Sequence, residues 1–559
     1  MSGGLTVLIV GGYGIFGGRI VELLENEQRL TLIVAGRSLQ RADAYCKSRR
    51  KAVARLVPAA FDRNGDLPAQ LASLRADVLV DASGPFQAYG NGQYRVIEAC
   101  IARGINYLDL ADGSDFVDGV RAFDQDARAA GLFVLSGVSS FPVLTAAVVR
   151  RLSTDMTRVD VIRGGIAPSP FAGVGQNVIR AIACYAGQSI SLRRDGKTVT
   201  GHPFTEQLRF TVAPPGYLPL RSTLFSLVDV PDLRALAELW PDTKNIWMGA
   251  GPVPEALHRA LIVLAWLVRL KLLPSLSRLA PLMYFVTNRL RWGEHRGGMF
   301  VEIEGTDERG ARLKRSWHLL AEGDDGPLIP SMAVEALVRK ALDGRMPPPG
   351  ARAAVRDLEL ADYEELFDRR TICCGVRDAA PGDSPLYARI LEAAWKSLPA
   401  EIRDMHDIDG AASASGRASV ERGRGAMARL AAWIFGFPAA AEDVAIGVRF
   451  EASNDGETWT RTFGNASFSS RQFAGRGRSE GLLCERFGPL TFAMALVPGD
   501  GRLSLILRRW SAFGIPLPMW LGPRSASYEF TENGRFRFHV EISHPFTGLI
   551  VRYRGWLAR

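Results

Sequence analysis

At 559 residues the chain is too long for one hydrophobic core, and roughly two to four domains are expected. Its 47% hydrophobic and 23% charged residues are ordinary for folded protein and exclude wholesale disorder. The formal charge of +9 comes from dispersed arginines without a long basic run, which argues against a nucleic-acid partner and for an anionic small ligand or an acidic membrane surface.

The first apolar run lacks a basic leader and a cleavage pattern, so it reads as a strand and not as a signal peptide. Short apolar runs at Thr6–Val10, Thr31–Ala35, Ala54–Ala59, Val78–Asp81, Tyr107–Leu110 and Leu132–Leu135 alternate with helically spaced stretches such as Arg19–Glu25 and Tyr94–Ala102. That alternation predicts a Rossmann α/β domain over 1–145, a doubly wound parallel sheet.

Between the first strand and the first helix stands VGGYGIFGGRI, whose glycines fit two registers. Gly12, Gly14 and Gly17 fit G-x-G-x-x-G, while Gly11, Gly14 and Gly17 fit the G-x-x-G-x-x-G turn of extended short-chain dehydrogenases. The second chemistry needs a Tyr-x-x-x-Lys pair, but Tyr89, Tyr94, Tyr107 and Tyr185 are followed four residues on by Gln93, Glu98, Ala111 and Ser189. The first register is therefore the expected one. Glycine there permits a tight turn and lets a pyrophosphate approach a helix N-terminus; a purely structural turn is the alternative. At the end of the second predicted strand, IVAGRS puts Arg37 and Ser38 where an NAD site keeps an acidic residue. A guanidinium and a hydroxyl suit a 2′-phosphate, which points to NADP(H); a merely solvated Arg37 is the alternative.

From 146 to 375 the pattern changes to an α+β domain expected to shape the substrate site or a dimer contact, its end packing back on the Rossmann domain. RVDVIRGGI reads as a strand, DERG as the turn between strands Met299–Gly305 and Arg312–Ala321, and IPSMAVEALVRKAL as a helix. Asp195–Thr198, DGKT, lacks the upstream glycine of a phosphate-binding loop and reads as a hairpin turn. The apolar segment Ala260–Val286 is broken by Arg269, Lys271, Pro274, Arg278 and Pro281. Three readings stay open for it: buried core or dimer-interface helices, an interfacial hairpin touching membrane or lipid, and a transmembrane span. The last is the weakest, because each uninterrupted piece falls far short of ~20 residues.

Gly375–Pro385 reads as a linker, and 383–559 as a mainly antiparallel β domain. SPLYARILEAAWKSLP is expected to be a helix and AASASGRASVERGRG a small-residue loop. Val444, Ile446, Val448 and Phe450 share one strand face, as do Phe536, Phe538, Val540 and Ile542, and ENG at Glu532–Gly534 supplies a tight hairpin. The six cysteines form no C-x-x-C pair and the seven histidines are scattered, so no metal site is expected and a reduced, cytoplasmic setting is, with a peripheral position at the inner membrane left open.

The stretch VDASGPFQAYGNGQYRVIEACIARGINYLDLADGSDF, with Ala35–Arg37, Gly84–Phe86, Tyr89-Gly90, Tyr107–Asp109 and the later GVSSFP, resembles the saccharopine dehydrogenase-like oxidoreductases. The closest pattern is that of members that include the trans-acting enoyl reductases of lipid assembly. The resemblance covers about 1–375, is specific in the first 145 residues, and implies an NADP(H)-dependent reductase. LPAEIRDMH, ETWTRTF, ERFGP and GIPLP in 383–559 resemble a bacterial domain of unknown function found fused behind such reductases, which brings no activity with it. The expected cofactor-binding set is Gly12, Tyr13, Gly14, Ile15, Phe16, Gly17, Arg37, Ser38, Asp62, Ser83, Gly84 and Pro85. The catalytic group is unknown. Tyr89, Asp109 and Asp112 are candidates from their position near strand C-terminal ends, with loop-capping carboxylates as the plainer reading of both aspartates. No arginine cluster suited to a polycarboxylate such as saccharopine is evident in the second domain, and 260–286 favours a hydrophobic or lipid-like carbonyl, imine or enoyl substrate. The rival reading is a non-catalytic NADP-sensing regulator with a ligand-binding β domain.

Overall fold

The computed structural model describes residues 4–378 and 384–559. They divide into two compact units, one comprising residues up to Leu208, Leu224–Trp317 and Ala321–Cys373, the other Arg209–Thr223, His318–Leu320 and Cys374–Arg559. The first unit thus takes in most of both domains anticipated before residue 375. Of the anticipated linker, residues 379–383 lie outside the described part, and Gly375–Asp378 belong to a strand, Ile372–Asp378.

The first unit opens with six strands: β1 (Leu5–Val10), β2 (Leu30–Gly36), β3 (Arg55–Ala60), β4 (Val78–Asp81), β5 (Asn106–Asp109) and β6 (Phe133–Ser136). Helices α1 (Ile15–Leu24), α2 (Leu39–Ser48), α3 (Leu67–Leu74) and α4 (Arg95–Arg103) connect the first five. The strands pair in parallel in the order β6-β5-β4-β1-β2-β3. Val7, Leu8 and Ile9 of β1 are inaccessible to solvent, because helices cover both faces and leave no polar side to the strand. A seventh parallel strand, Gly350–Ala353, pairs with β6 after the chain has formed six strands of the second sheet, to whose edge it then returns with Ile372–Asp378. This is the doubly wound α/β architecture that the strand–helix alternation predicts.

In the second sheet Thr223–Leu227, Asn245–Ala250, Arg158–Ala167 and Arg296–Thr306 are successive neighbours. The DERG turn leads from Arg296–Thr306 to Arg312–Glu322, with Asp307 Oδ1 accepting from the Arg309 and Ala311 amides. The helix Ile329–Leu342 follows, and Asp195-Gly196 joins the two-stranded hairpin Ile190–Arg194 and Lys197–Gly201.

The apolar segment forms the helix Glu255–Arg269 and, after a short turn, the helix Ala280–Arg289. It is not core: Val263, Trp266, Leu270, Leu272, Leu282 and Phe285 are exposed, and burial is limited to positions such as Ala265, Val268, Leu276 and Ala280. Among the described residues no helix is long and apolar enough to cross a membrane.

The second unit carries a closed antiparallel barrel of ten strands: Ala411–Arg422, Ala441–Ser453, Gly456–Phe463, Ala466–Ala474, Leu483–Phe487, Leu490–Gly499, Arg502–Ala512, Arg524–Glu532, Arg535–His544 and Gly548–Ala558. Each pairs with the next, and the last pairs with the first, closing the ring. Asn533 and Gly534, both at positive φ, form the two-residue hairpin that ENG predicts.

Two local expectations need correction. AASASGRASVERGRG is no loop: Ala411–Arg422 is a strand. Its inward positions, Ala414, Ala418 and Val420, do alternate with polar ones, but mostly small residues fill them, so the apolar signal is faint. The predicted helix after residue 384 is α-helical only as far as Leu391 and continues as a 3₁₀ helix, Glu392–Ser397. Glu392 takes a left-handed conformation, and its carboxylate accepts from Arg377 at 2.8 Å and from the Asp378 amide at 3.1 Å.

Candidate functional site

The chain leaves β1 toward β2 and β3, then returns to β4 on the other side, so β1 and β4 flank a topological switch point. Ligands of doubly wound sheets bind beyond the strand ends there. The loop after β1 is built for close approach. Gly11 sits at φ +78°, where a side chain is strained, and its amide and that of Gly12 both donate to the Ala35 carbonyl, at 2.8 and 2.9 Å. A Cβ at Gly12 would lie 2.9 Å from the Ile9 carbonyl and the Val34 side chain, and one at Gly17 would overlap the Gly11 carbonyl. Gly14 precedes α1 in an extended conformation, and no side chain caps this helix. Its first-turn amides, beginning with those of Ile15 and Phe16, are thus left to an anion. Gly11, absent from the chosen register, is as indispensable as the other three; the rival register contained it.

Tyr13 braces the loop from the side of β2. Its ring covers Gly36, its hydroxyl accepts from the Ser38 amide at 3.1 Å, and the Arg41 guanidinium lies 5.3 Å from the ring centroid. Ser38 caps α2, its Oγ accepting from the Arg41 amide. Arg37 is exposed beside it and makes no ion pair among the described residues. Asp62 shapes its own turn, accepting from the Asn64 amide on its carboxylate and from Gln70 Nε2 on its carbonyl.

On the β4 side, Asp81 Oδ1 accepts from the Ser83 amide at 2.9 Å and from Ser83 Oγ at 2.5 Å. With the serine proton given to Asp81, the Tyr89 hydroxyl 2.7 Å away donates to Ser83 Oγ. Arg63 lies against the Tyr89 ring. Burial raises the pKa of the Asp81 carboxyl and of the Tyr89 phenol. Phe86 packs between Tyr89 and Phe116, with centroids at 5.2 and 4.9 Å, and both phenylalanines are buried, so Tyr89 is backed by an aromatic core. Asn177 Nδ2 donates to the Gly84 carbonyl at 2.8 Å and Arg19 to the Ala172 carbonyl, which brings the segment around 172–177 to both Ser83–Pro85 and α1.

The two candidate aspartates face elsewhere. Asp109 is fully buried, and its Oδ1 accepts from the Ala111 and Gly137 amides and from Ser136 Oγ, each at 2.9 Å. Desolvation pushes its pKa up to about 7, and its Oδ2 has no partner among the described residues. It fastens the ends of β5 and β6. Asp112 is exposed and accepts from Gln87 Nε2 at 2.9 Å. The structure therefore gathers Gly12–Gly17 with Arg37 and Ser38, and Ser83 with Tyr89. It adds Gly11, Arg41, Arg63 and Asp81, and turns Asp109 into the core. Among the described residues no cluster of three or more metal-ligating side chains occurs.

A doubly wound sheet with a glycine-rich turn at its switch point defines a dinucleotide-binding domain of the dehydrogenase class. Residues 7–135 match the family described as the saccharopine dehydrogenase NADP binding domain, and residues 398–557 match a domain of unknown function, DUF4166. Residues 7–135 are accordingly an NADP-binding domain of the saccharopine dehydrogenase type, and residues 398–557, within the barrel unit, are a DUF4166 domain. Among solved structures, it is similar to saccharopine dehydrogenase (L-Glu forming) from Saccharomyces cerevisiae, at 14% identity over 67% of this chain and 100% of that one, TM-score 0.49. It is also similar to a biliverdin reductase from Synechocystis sp. PCC 6803, at 13% identity over 65% and 96%, TM-score 0.29. No curated protein matches the chain.

Proposed function

We propose that the chain reduces an uncharged, hydrophobic carbonyl, imine or enoyl substrate with NADPH. The observation that carries the reading is the exposed Arg37 beside the Gly36 turn and the α2 N-terminus, where a 2′-phosphate would meet a guanidinium that makes no ion pair among the described residues. The glycine loop and the open start of α1 would take the pyrophosphate, with Tyr13 and Arg41 beside the adenosine. When bound, the nicotinamide supplies the hydride. The chain's own part is orientation and a proton. Of the three candidates Tyr89 alone stands in a hydrogen-bonded relay, through Ser83 to the buried Asp81, and the preference for an apolar substrate rests on the exposed apolar helices of 255–289. The test is NADPH consumption at 340 nm with a panel of medium- and long-chain enoyl and carbonyl compounds, beside saccharopine. Turnover with an apolar member and none with saccharopine is expected. Tight NADPH binding without turnover of any compound would favour the sensing regulator.

A further inference from the structure

The barrel encloses a cavity with ≈ 410 Å³ of internal free volume, lined mainly by the apolar faces of its strands, among them Ile446, Val448, Phe450, Leu505, Phe538 and Val540. Small-molecule sites typically occupy about 300–1,000 Å³, and an apolar interior of this size in a closed barrel suits a single ligand.

The two ends of the cavity differ. The strand Ala411–Arg422 runs from one to the other, following the helix Ala400–His406 and preceding the helix Ala426–Ile434. At the first end Tyr387 stacks on His406 at 3.7 Å, and His406 Nε2 lies 2.6 Å from Glu529. Beside them Arg461 pairs with Glu485 at 3.1 Å, Ser470 and Gln472 donate to the same carboxylate, and Tyr387 donates to Gln472. Apart from His406 Nδ1, which has no partner among the described residues, these polar side chains bond one another, and each of the two carboxylates already has a basic partner. The floor therefore offers no free charge to an ionised ligand, and burying one there would be costly.

The other end is an apolar mouth. Met427 and Phe546 line the cavity yet are 63% and 69% exposed, and Leu430, Trp433 and Ile434 on the same helix as Met427 are exposed too. The rim is held in shape, since His544 bonds the Leu521 carbonyl through Nε2 at 3.1 Å and the Phe546 amide through Nδ1 at 3.3 Å. Exposed apolar groups around a cavity entrance mark a route for a poorly soluble molecule.

We propose that the barrel is a binding site for a neutral, elongated lipid, one acyl or isoprenoid chain ending in an alcohol, aldehyde or ester, which enters past Met427 and Phe546. The proposal does not rest on the nucleotide-site reading. The full chain is titrated with the neutral dye N-phenyl-1-naphthylamine, followed by competition with hexadecan-1-ol and with palmitate. Saturable dye binding is expected, displaced by the alcohol and about tenfold less well by the carboxylate, the scale set by an unpaired charge in an apolar site. Val540→Trp, which fills the cavity, should abolish binding. Met427→Glu, on an exposed position that tolerates charge, should weaken dye binding about tenfold while leaving the circular dichroism spectrum unchanged, and it decides the matter if the Val540 variant does not fold. Absence of saturable binding, equal displacement by palmitate, or an unaltered affinity in Met427→Glu would overturn the proposal.

Discussion

Arg37 can be tested by reversing its charge. In Arg37→Asp a carboxylate replaces the donor for the 2′-phosphate, and charge-assisted bonds of that kind contribute about 1.5–3 kcal/mol each. NADPH affinity should fall about ten- to a hundredfold while NADH affinity holds or improves, as read by fluorescence titration. Equal loss of both cofactors would remove Arg37 from the site. Asp109 yields a prediction about pH. Its folded pKa, about 7, lies above the ordinary aspartate value, so the native state holds its proton more tightly than the unfolded chain does. The associated stability, up to about 4 kcal/mol, is fully present below pH ~4 and is lost as pH rises through about 7. In Asp109→Asn the amide oxygen can keep the three donors without ionising, so unfolding free energies by denaturant should decline less between pH 4.5 and 8. An unchanged slope would sink the assignment. These residues also show what a sequence can reveal at this scale. The glycines and Arg37 are legible because local backbone geometry and one strand end dictate them. Ser83 and Tyr89 are legible from their place after a strand end, but their joining to Asp81 and Arg63 is not, because Arg63 reaches Tyr89 only through the tertiary arrangement of β3 and β4.

Among the elements, the strand Ala411–Arg422 is small-residued for a reason that can be measured. A Cβ at Gly416 would run into the Trp556 carbonyl of the neighbouring strand, whereas one at Gly447, on the strand paired on the other side, would meet nothing within 4 Å. Alanine normally outperforms glycine inside a strand. Gly416→Ala should nevertheless destabilise the barrel by about 1–3 kcal/mol, as overpacking does, while Gly447→Ala is neutral or stabilising in thermal unfolding. The reverse order would mean that the close approach is not what requires glycine. Helical and strand periodicity made most elements legible; this one was hidden because alanine and glycine fill most of its inward positions, and at Gly416 the approach of the neighbouring backbone leaves no room for a side chain. The helices Glu255–Arg269 and Ala280–Arg289 present a second case. Their exposed Trp266 and Phe285 stand with exposed Arg259, Lys271 and Arg278, a combination suited to an anionic bilayer surface. The chain should sediment with phosphatidylglycerol vesicles but not phosphatidylcholine ones, and Trp266→Asp with Phe285→Asp should release it. Self-association in sedimentation velocity, relieved by the same pair and without vesicle binding, would instead identify a dimer surface.

For the molecule as a whole, the strand Gly350–Ala353 carries a consequence for how the protein is made. β6 finds its outer neighbour only after six of the seven strands of the second sheet and the helix Ile329–Leu342 have been synthesised. As the chain emerges from the ribosome, the nucleotide-binding sheet therefore waits with an unpaired edge, a surface open to pairing with other nascent chains or to capture by chaperones. Completion of the sheet becomes a late, long-range closure that couples the two halves of the unit in time. In pulsed hydrogen exchange during refolding, the amides of Gly350–Ala353 should become protected together with those of the second sheet and after those of β1, β2 and β4. Protection of Gly350–Ala353 in step with β1 would show that the edge is never left open.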